Sequence, residues 1–506
     1  MKKIFFNTLL MLLFLFLGWL LFANLSDHYL WNDEASTAVM ARNVLKFGYP
    51  SSFDGLNYHY PSAPDLNMPG TRVWIGDTWP QYYVMAASFR ALGVSTWAAR
   101  LPFALAGFLT LVLLYLFSIR YLKSREIGMI ALVLAGTSVP FLLHARQARY
   151  YGLVMLSCVA IFYVYHRIIN GKKGYFWLSL ILTFLALLNY AAFAPIFCAL
   201  WVMALFMDRR EIKWRRFVLA SVPPALFCVA WLSLSWFSIN SDASYYPVNL
   251  SLGGIKKNLE FQIRTVNSYF APLILLLSAV IFRPKTSDWR LFARIGAVLL
   301  FNIIFFSVFG LRTMRYYVQY IPFLCLIEAF FLVRVFQWRK GAGVAVIALL
   351  IFTNLLARPD KPRFYFFDYI HELTHEYTGP MEAVSKYLKA NASVGDKVKI
   401  IKGDLEIIFY NPELEVLNDA RYYKKTYPEW IVIRKYWNPI YEDKWRNERR
   451  AVIEDGYMDV LGGYEKILLP AVDSTWENSP DDLEGHFFRS PLITPENQMA
   501  VYHIKR

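Results

Sequence analysis

The sequence predicts a multi-pass α-helical membrane protein with an α/β domain at its C-terminal end. Three observations carry this. Of 506 residues, 57% are hydrophobic and 18% charged, whereas soluble domains lie nearer 45–50% and 25%. The apolar residues gather into runs that approach the roughly 20 residues a helix needs to cross hydrocarbon, where lipid offers backbone groups no partner. The stretch 358–506 instead alternates helix-period and strand-period patterns.

The first run follows Met1, Lys2 and Lys3 and extends to about Phe22. It is long for the apolar region of a signal peptide and lacks a small-x-small cleavage site, so it reads as a first span. Further spans are expected at about 97–119, 126–143, 149–167, 175–189, 192–207, 217–238, 271–283, 291–309, 317–335 and 342–357, eleven in all. With a cytoplasmic N-terminus, the internal loops carry Arg120, Lys123 and Arg125; Arg167, Lys172 and Lys173; Arg209 to Arg216; Arg283, Lys285 and Arg290; and Arg334, Arg339 and Lys340. Each obeys the positive-inside rule. The net charge of +15 is then a matter of membrane sidedness and does not imply a nucleic-acid partner. Cys158, Cys198, Cys228 and Cys325 lie inside apolar runs and read as small buried hydrophobes.

On the opposite face lies a first loop, 26–96, rich in Trp, Tyr and Pro. Within it Trp79-Pro-Gln-Tyr-Tyr-Val-Met-Ala-Ala-Ser-Phe reads as an interfacial amphipathic helix. An odd number of spans puts residues 358–506 outside as well. A helix is expected from Pro380, and strands at Lys397-Val-Lys-Ile-Ile, Trp430-Ile-Val-Ile and Ala500-Val-Tyr-His-Ile. The expected domains are thus a transmembrane domain, 1–357, including the loop, and an extracytoplasmic α/β domain, 358–506.

Asp33 and Glu34 follow the first span in Leu30-Trp-Asn-Asp-Glu-Ala-Ser-Thr. Acids there suit the first turn of a helix, and a carboxylate so placed can also take a proton from an acceptor hydroxyl. The segment His144-Ala-Arg-Gln-Ala-Arg-Tyr-Tyr151 puts Arg146 and Arg149 on the face the charge rule leaves poor in arginine. Arg312 and Arg315 in Gly310-Leu-Arg-Thr-Met-Arg-Tyr-Tyr make the same exception. A bound anion would account for both pairs, because guanidinium presents a planar fork to phosphate oxygens; snorkelling to headgroups or structural pairing would account for them too. His59 is either a substrate contact or a surface residue. His371-Glu-Leu-Thr-His375 fits the H-E-x-x-H zinc pattern, but it stands outside a long amphipathic helix with no evident third ligand, so a protease is not expected.

With these residues in view, the chain resembles the C-superfamily of membrane glycosyltransferases, in the branch of protein O-mannosyltransferases and the lipid A aminoarabinose transferase. The resemblance lies in the order of Asp33-Glu34, Ala41-Arg-Asn-Val-Leu, Thr78-Trp-Pro-Gln-Tyr-Tyr, Arg100-Leu-Pro-Phe, Arg146-Gln-Ala-Arg-Tyr-Tyr and Arg315-Tyr-Tyr with Pro322, over about residues 1–360. It implies a GT-C-like fold in a bacterial inner membrane and transfer of a sugar from a polyprenyl-phosphate-linked donor to a hydroxyl on a lipid, glycan or protein acceptor. It further implies Asp33 as the leading candidate to engage the acceptor hydroxyl and arginines on the donor phosphate; the expected site is then Asp33 and Glu34 as catalytic carboxylates, Arg146, Arg149, Arg312 and Arg315 on the donor phosphate, and His59, Tyr150 and Tyr316 as substrate contacts. Trp79 ahead of Pro80, and Gln81 where aminoarabinose transferases carry a second proline, depart from the family pattern. Reaction class therefore transfers and acceptor does not. No cofactor is certain; a divalent cation stays open, with Asp33, Glu34 and His59 the nearest candidate ligands. The alternative function is a transporter or flippase of lipid-linked saccharides. Ionisable residues gathered at one face, with Glu328 the main one within a span, favour surface chemistry over transport.

Overall fold

The structure, a computed structural model of the chain, describes residues 2–59, 66–239, 251–275, 286–309, 312–400, 402–417, 427–434, 461–474, 479–480, 483–495 and 497–505. It divides into two compact units. The first holds Met1–Ala23, Thr78–Pro80 and Leu101–Ile370; the second holds Asn24–Asp77, Gln81–Arg100 and His371–Arg506.

The first unit is helical. Helices stand at Lys2–Phe22, Thr96–Phe117, Tyr151–Ile169, Tyr175–Leu188, Tyr190–Val202, Trp214–Ile239, Thr286–Val308, Ile321–Trp338 and Lys340–Phe352, each on a run expected to span. The run 126–143 is a pair, Arg125–Thr137 and Val139–Arg146, bent by 65° at Ser138. Pro140 supplies the reason: in an unbroken helix it would offer no N–H to the Gly136 carbonyl and its ring would collide with that carbonyl, whereas the second position of a new helix tolerates it. Among the described residues seven helices are long and apolar enough to cross a membrane, or eight counting the bent pair, while Tyr175–Leu188 and Lys340–Phe352 are shorter. The expected count of eleven is not reached among them, and the expected span 271–283 lies largely outside the described residues.

Burial separates central from peripheral spans. The window Val318–Trp338 is 78% buried, Ile4–Phe22 only 17%. In a bilayer the second pattern faces lipid. The helix Ile321–Trp338 packs on Arg125–Thr137 and Lys340–Phe352, while Thr286–Val308 packs on Tyr190–Val202 and Leu252–Thr265. Small residues bring helices close: a Cβ at Gly107 would lie 2.6 Å from Ala145 Cβ, and one at Gly152 would collide with the Phe103 carbonyl. Asp208, fully buried, accepts hydrogen bonds from Tyr165 Oη at 2.9 Å, Arg294 Nε at 3.0 Å and Arg294 Nη2. That network ties three helices at one end of the bundle.

The second unit gathers the first loop with the tail. Its five-stranded sheet has the order β2-β1-β3-β5-β4, with β1 Lys397–Ile400, β2 Glu415–Leu417, β3 Trp430–Val432, β4 Tyr464–Val472 and β5 Gln498–Ile504. Strands β2, β1 and β3 run parallel; β5 pairs antiparallel with β3 and β4, Ile431 opposite Tyr502. The three expected strands are β1, β3 and β5, and the expected helix is Pro380–Asn391, its proline in the first turn. Short β2 and the alternating β4 carry weaker sequence signals.

Hydrogen bonds across more than 350 residues of sequence join loop to tail. Asn57 donates from Nδ2 to Leu414 O at 2.9 Å and accepts Val416 N–H at 2.7 Å. Arg42 donates to Asp54 Oδ2 at 3.1 Å and to the Ile408 and Phe409 carbonyls at 3.0 and 3.3 Å, capping the helix Asp404–Tyr410. Burial pulls Arg42's pKa down, against the pull of Asp54. Tyr410 Oη accepts Leu30 N–H at 2.8 Å and shares a hydrogen bond with Thr96 Oγ1 at 2.7 Å. Burial raises the Tyr410 pKa and keeps it a neutral hydroxyl.

Candidate active site

In the second unit, Asp33 and Glu34 occupy the first turn of the helix Asn32–Phe47, where negative charge meets the positive end of the helix dipole. The helix ends at Gly48, whose φ of 83° suits glycine. The two acids differ sharply in surroundings. Glu34 is 1% exposed and forms a bidentate pair with Arg100, Nε to Oε1 at 2.8 Å and Nη2 to Oε2 at 2.6 Å. The same guanidinium donates from Nη1 to the Leu25 and His28 carbonyls at 2.9 and 2.8 Å and from Nη2 to the Tyr29 carbonyl at 3.3 Å. Glu34 thus fixes the entry to the helix. Asp33 is half-buried, and its main-chain carbonyl accepts from Thr37 Oγ1 at 3.1 Å.

His59 is buried, 2.9 Å from Ser36 Oγ through Nε2 and edge-on to Trp74 at 5.0 Å between ring centres. It pins the loop to the helix that begins at Asp33. Glu372 of the His371–His375 motif accepts from His486 Nε2 at 3.0 Å, and the two motif imidazoles stack on each other at 4.0 Å. No group of three or more metal-binding side chains capable of holding an ion occurs among the described residues.

In the first unit, the expected arginines divide by task. Arg146 ends the helix Val139–Arg146 and donates from Nη1 to Leu20 O at 3.0 Å and Ala23 O at 2.7 Å, satisfying orphan carbonyls at the end of the first helix. Arg149 follows in a tight turn, its N–H bonded to Gln147 O at 2.7 Å, and is 8% exposed. Tyr150 precedes the helix Tyr151–Ile169 and lies within electrostatic reach of Arg149, Arg315, Tyr151 and Tyr316. Arg315 and Tyr316 occupy one 3-10 turn, Met314–Tyr316, ahead of a second at Val318–Tyr320 and the helix that begins at Ile321. Arg315, Tyr316, Tyr150, Tyr151, Asn189 and Gln319 line one pocket. The structure therefore brings Arg149, Arg315, Tyr150 and Tyr316 together, from segments about 165 residues apart in the chain. Arg312 is engaged beside them, donating from Nε to Asn258 Oδ1 at 2.8 Å.

Guanidinium and phenol groups at the N-terminal ends of two helices form an environment suited to an anion with apolar surface behind it. Sequence reasoning passed over the polar side chains supporting it. Asn258, Gln262, Asn302 and Gln319 are each at most 2% exposed. Their signal was legible: Asn258 and Gln262 stand four apart on one helix face, and Asn302 interrupts Phe301-Asn-Ile-Ile-Phe-Phe.

No protein-family model matches the chain. An uncharacterised protein of Aquifex aeolicus (strain VF5) is 25% identical over 337 residues, 63% of this chain and 72% of its own length. ArnT from Cupriavidus metallidurans, in its crystal structure bound to undecaprenyl phosphate, superimposes with a TM-score of 0.62 at 14% identity, over 98% of each chain. The Archaeoglobus fulgidus oligosaccharyltransferase, crystallised tethered to an acceptor peptide, superimposes with a TM-score of 0.50 at 11% identity, over 92% of this chain and 73% of its own. Helical unit, loop and C-terminal sheet are all included in the ArnT match. The chain shares the fold of ArnT from Cupriavidus metallidurans.

Proposed function

We propose that the protein transfers a sugar from a polyprenyl-phosphate-linked donor to an acceptor hydroxyl at the extracytoplasmic face of the membrane. The observation that carries this is the Arg149–Arg315–Tyr150–Tyr316 cluster, in a fold shared with an enzyme crystallised with undecaprenyl phosphate. The distribution of Lys and Arg supports a cytoplasmic N-terminus and an exterior tail.

In this reading Arg149 and Arg315 hold the donor phosphate, with Tyr150 and Tyr316 beside it. Asp33 takes the acceptor proton as the acceptor oxygen attacks the anomeric carbon. The bond from that carbon to the phosphate oxygen breaks, and its electron pair leaves with the polyprenyl phosphate. One displacement inverts the anomeric centre. Fixed guanidinium charge stabilises the anion as it forms, most strongly where water is scarce. Glu34 and His59 position the loop that bears Asp33; Arg146 and Arg312 position the segments that bear Arg149 and Arg315.

The test uses the full-length protein in lipid nanodiscs, supplied with undecaprenyl phosphate carrying mannose, glucose, galactose or arabinose and with envelope extract as acceptor. Sugar should appear on acceptor in step with free undecaprenyl phosphate, and Asp33→Asn should lower both by about 10²–10⁴. Movement of an intact glycolipid between leaflets of a vesicle, with no cleavage, would favour the transporter instead.

A further inference from the structure

We infer that Gln319 reads a hydroxyl of the donor sugar, accepting its proton in a hydrogen bond to Oε1 beside the arginine-held phosphate; this rests on the transfer reaction proposed above. The assignment starts from a main-chain group that can only accept. Val298 O takes a hydrogen bond from Asn302 Nδ2 at 2.7 Å, which turns the Asn302 amide so that its Oδ1 is the remaining acceptor. Gln319 Nε2 donates to that oxygen at 3.1 Å. The oxygen of Gln319 is therefore the end left for a ligand. Asn302 is 0% exposed and Gln319 2%, so water does not compete for this orientation.

A carbonyl oxygen has no proton to offer a phosphate, itself an acceptor; its complement is O–H or N–H. Arg315, in the same pocket, is the complement of the phosphate. A pocket lined both by a cation and by an amide whose nitrogen is already engaged matches a sugar phosphate at its linkage, where an anion and a ring hydroxyl lie within one sugar's width. A bare polyprenyl phosphate needs only the cation. Sites that hydrogen-bond a substrate hydroxyl reject analogues lacking it far more strongly than apolar pockets reject a missing methylene.

A second set of contacts holds the backbone that carries Gln319. Tyr320 Oη donates to Gln262 Oε1 at 3.4 Å, Gln262 Nε2 donates to Ser307 Oγ at 2.9 Å, and Asn258 Nδ2 donates to Ser307 O at 2.7 Å. Together with the Arg312 bond to Asn258, these tie both ends of the segment 312–320 to two neighbouring helices. Asn302 is a positioning residue, acting through Gln319.

The experiment measures affinity of the full-length protein in nanodiscs for undecaprenyl phosphate and for undecaprenyl phosphate carrying mannose, glucose, galactose or arabinose. Gln319→Met should bind the sugar-free lipid within about twofold of the parent, yet lose about tenfold for the glycosylated lipid the parent binds best, the scale of one buried hydrogen bond. Asn302→Leu, which keeps the acceptor but releases its orientation, should lose less, and for that lipid alone. Unchanged affinity of Gln319→Met for the glycosylated lipid overturns the assignment. If that variant also fails to bind the sugar-free lipid, its fold is lost and Asn302→Leu decides, with parental glycolipid affinity there counting against Gln319. A parent protein that binds none of these lipids refutes the transfer reading itself, and this inference with it.

Discussion

Asp33 and Glu34 are neighbours in the chain with different surroundings, and the difference sets opposite expectations for substitutions at the two positions. Glu34 shares both carboxylate oxygens with buried Arg100. Removing one partner of a buried pair leaves an uncompensated charge, so Glu34→Ala should cost about 3–5 kcal/mol, read as a lower thermal midpoint of the purified protein. Asp33→Asn should leave that midpoint close to the parent's and lower transfer by about 10²–10⁴, the range of general-base catalysis. Near-parental turnover in Asp33→Asn would remove Asp33 from the mechanism. The acids themselves were legible in sequence, from their place after a span. Which one is committed to an arginine was not, because Arg100 lies 66 residues away and no local pattern links the two.

Among elements, the long spans were the most legible, since length and apolarity are local properties. The bend at Ser138 could be read only from Pro140. Close helix contacts were less visible: Gly152 looks like any glycine in an apolar run until the Phe103 carbonyl is found against it. Gly152→Leu is expected to destabilise by about 1–3 kcal/mol, as overpacking does, and to weaken lipid-phosphate binding, because the turn bearing Arg149 and Tyr150 leads directly into this helix. Urea or thermal unfolding beside a lipid-binding curve checks both, and a parental midpoint would mean that the two helices part without cost.

For the whole molecule, composition was enough to establish a membrane protein, and alternation in the tail enough to expect strands there. Composition could not reveal that the first loop and the tail form one unit, since the bonds from Asn57 to Leu414 and Val416 and from Arg42 to Ile408 cross the length of the chain. Deleting residues 380–506 should therefore unfold the loop as well, and limited proteolysis should cut within 24–59 far faster than in the full chain. Equal resistance would show that the loop is stable without the tail. The pocket around Arg315 was legible in part: the arginines stood out against the charge rule, whereas Asn302 and Gln319, which carry no charge to set against that rule, show only as polar residues within apolar and aromatic runs.

The claim on which the functional reading depends is that guanidinium groups of the first unit hold a lipid phosphate. An electron cryomicroscopy structure of the full-length protein with undecaprenyl phosphate tests it most directly. Phosphate density should lie beside Tyr150, with oxygens about 2.9 Å from nitrogens of Arg315 or Arg149, and should be lost in the Arg149→Met, Arg315→Met double variant. Phosphate density elsewhere, or at the same place with both arginines removed, would contradict it.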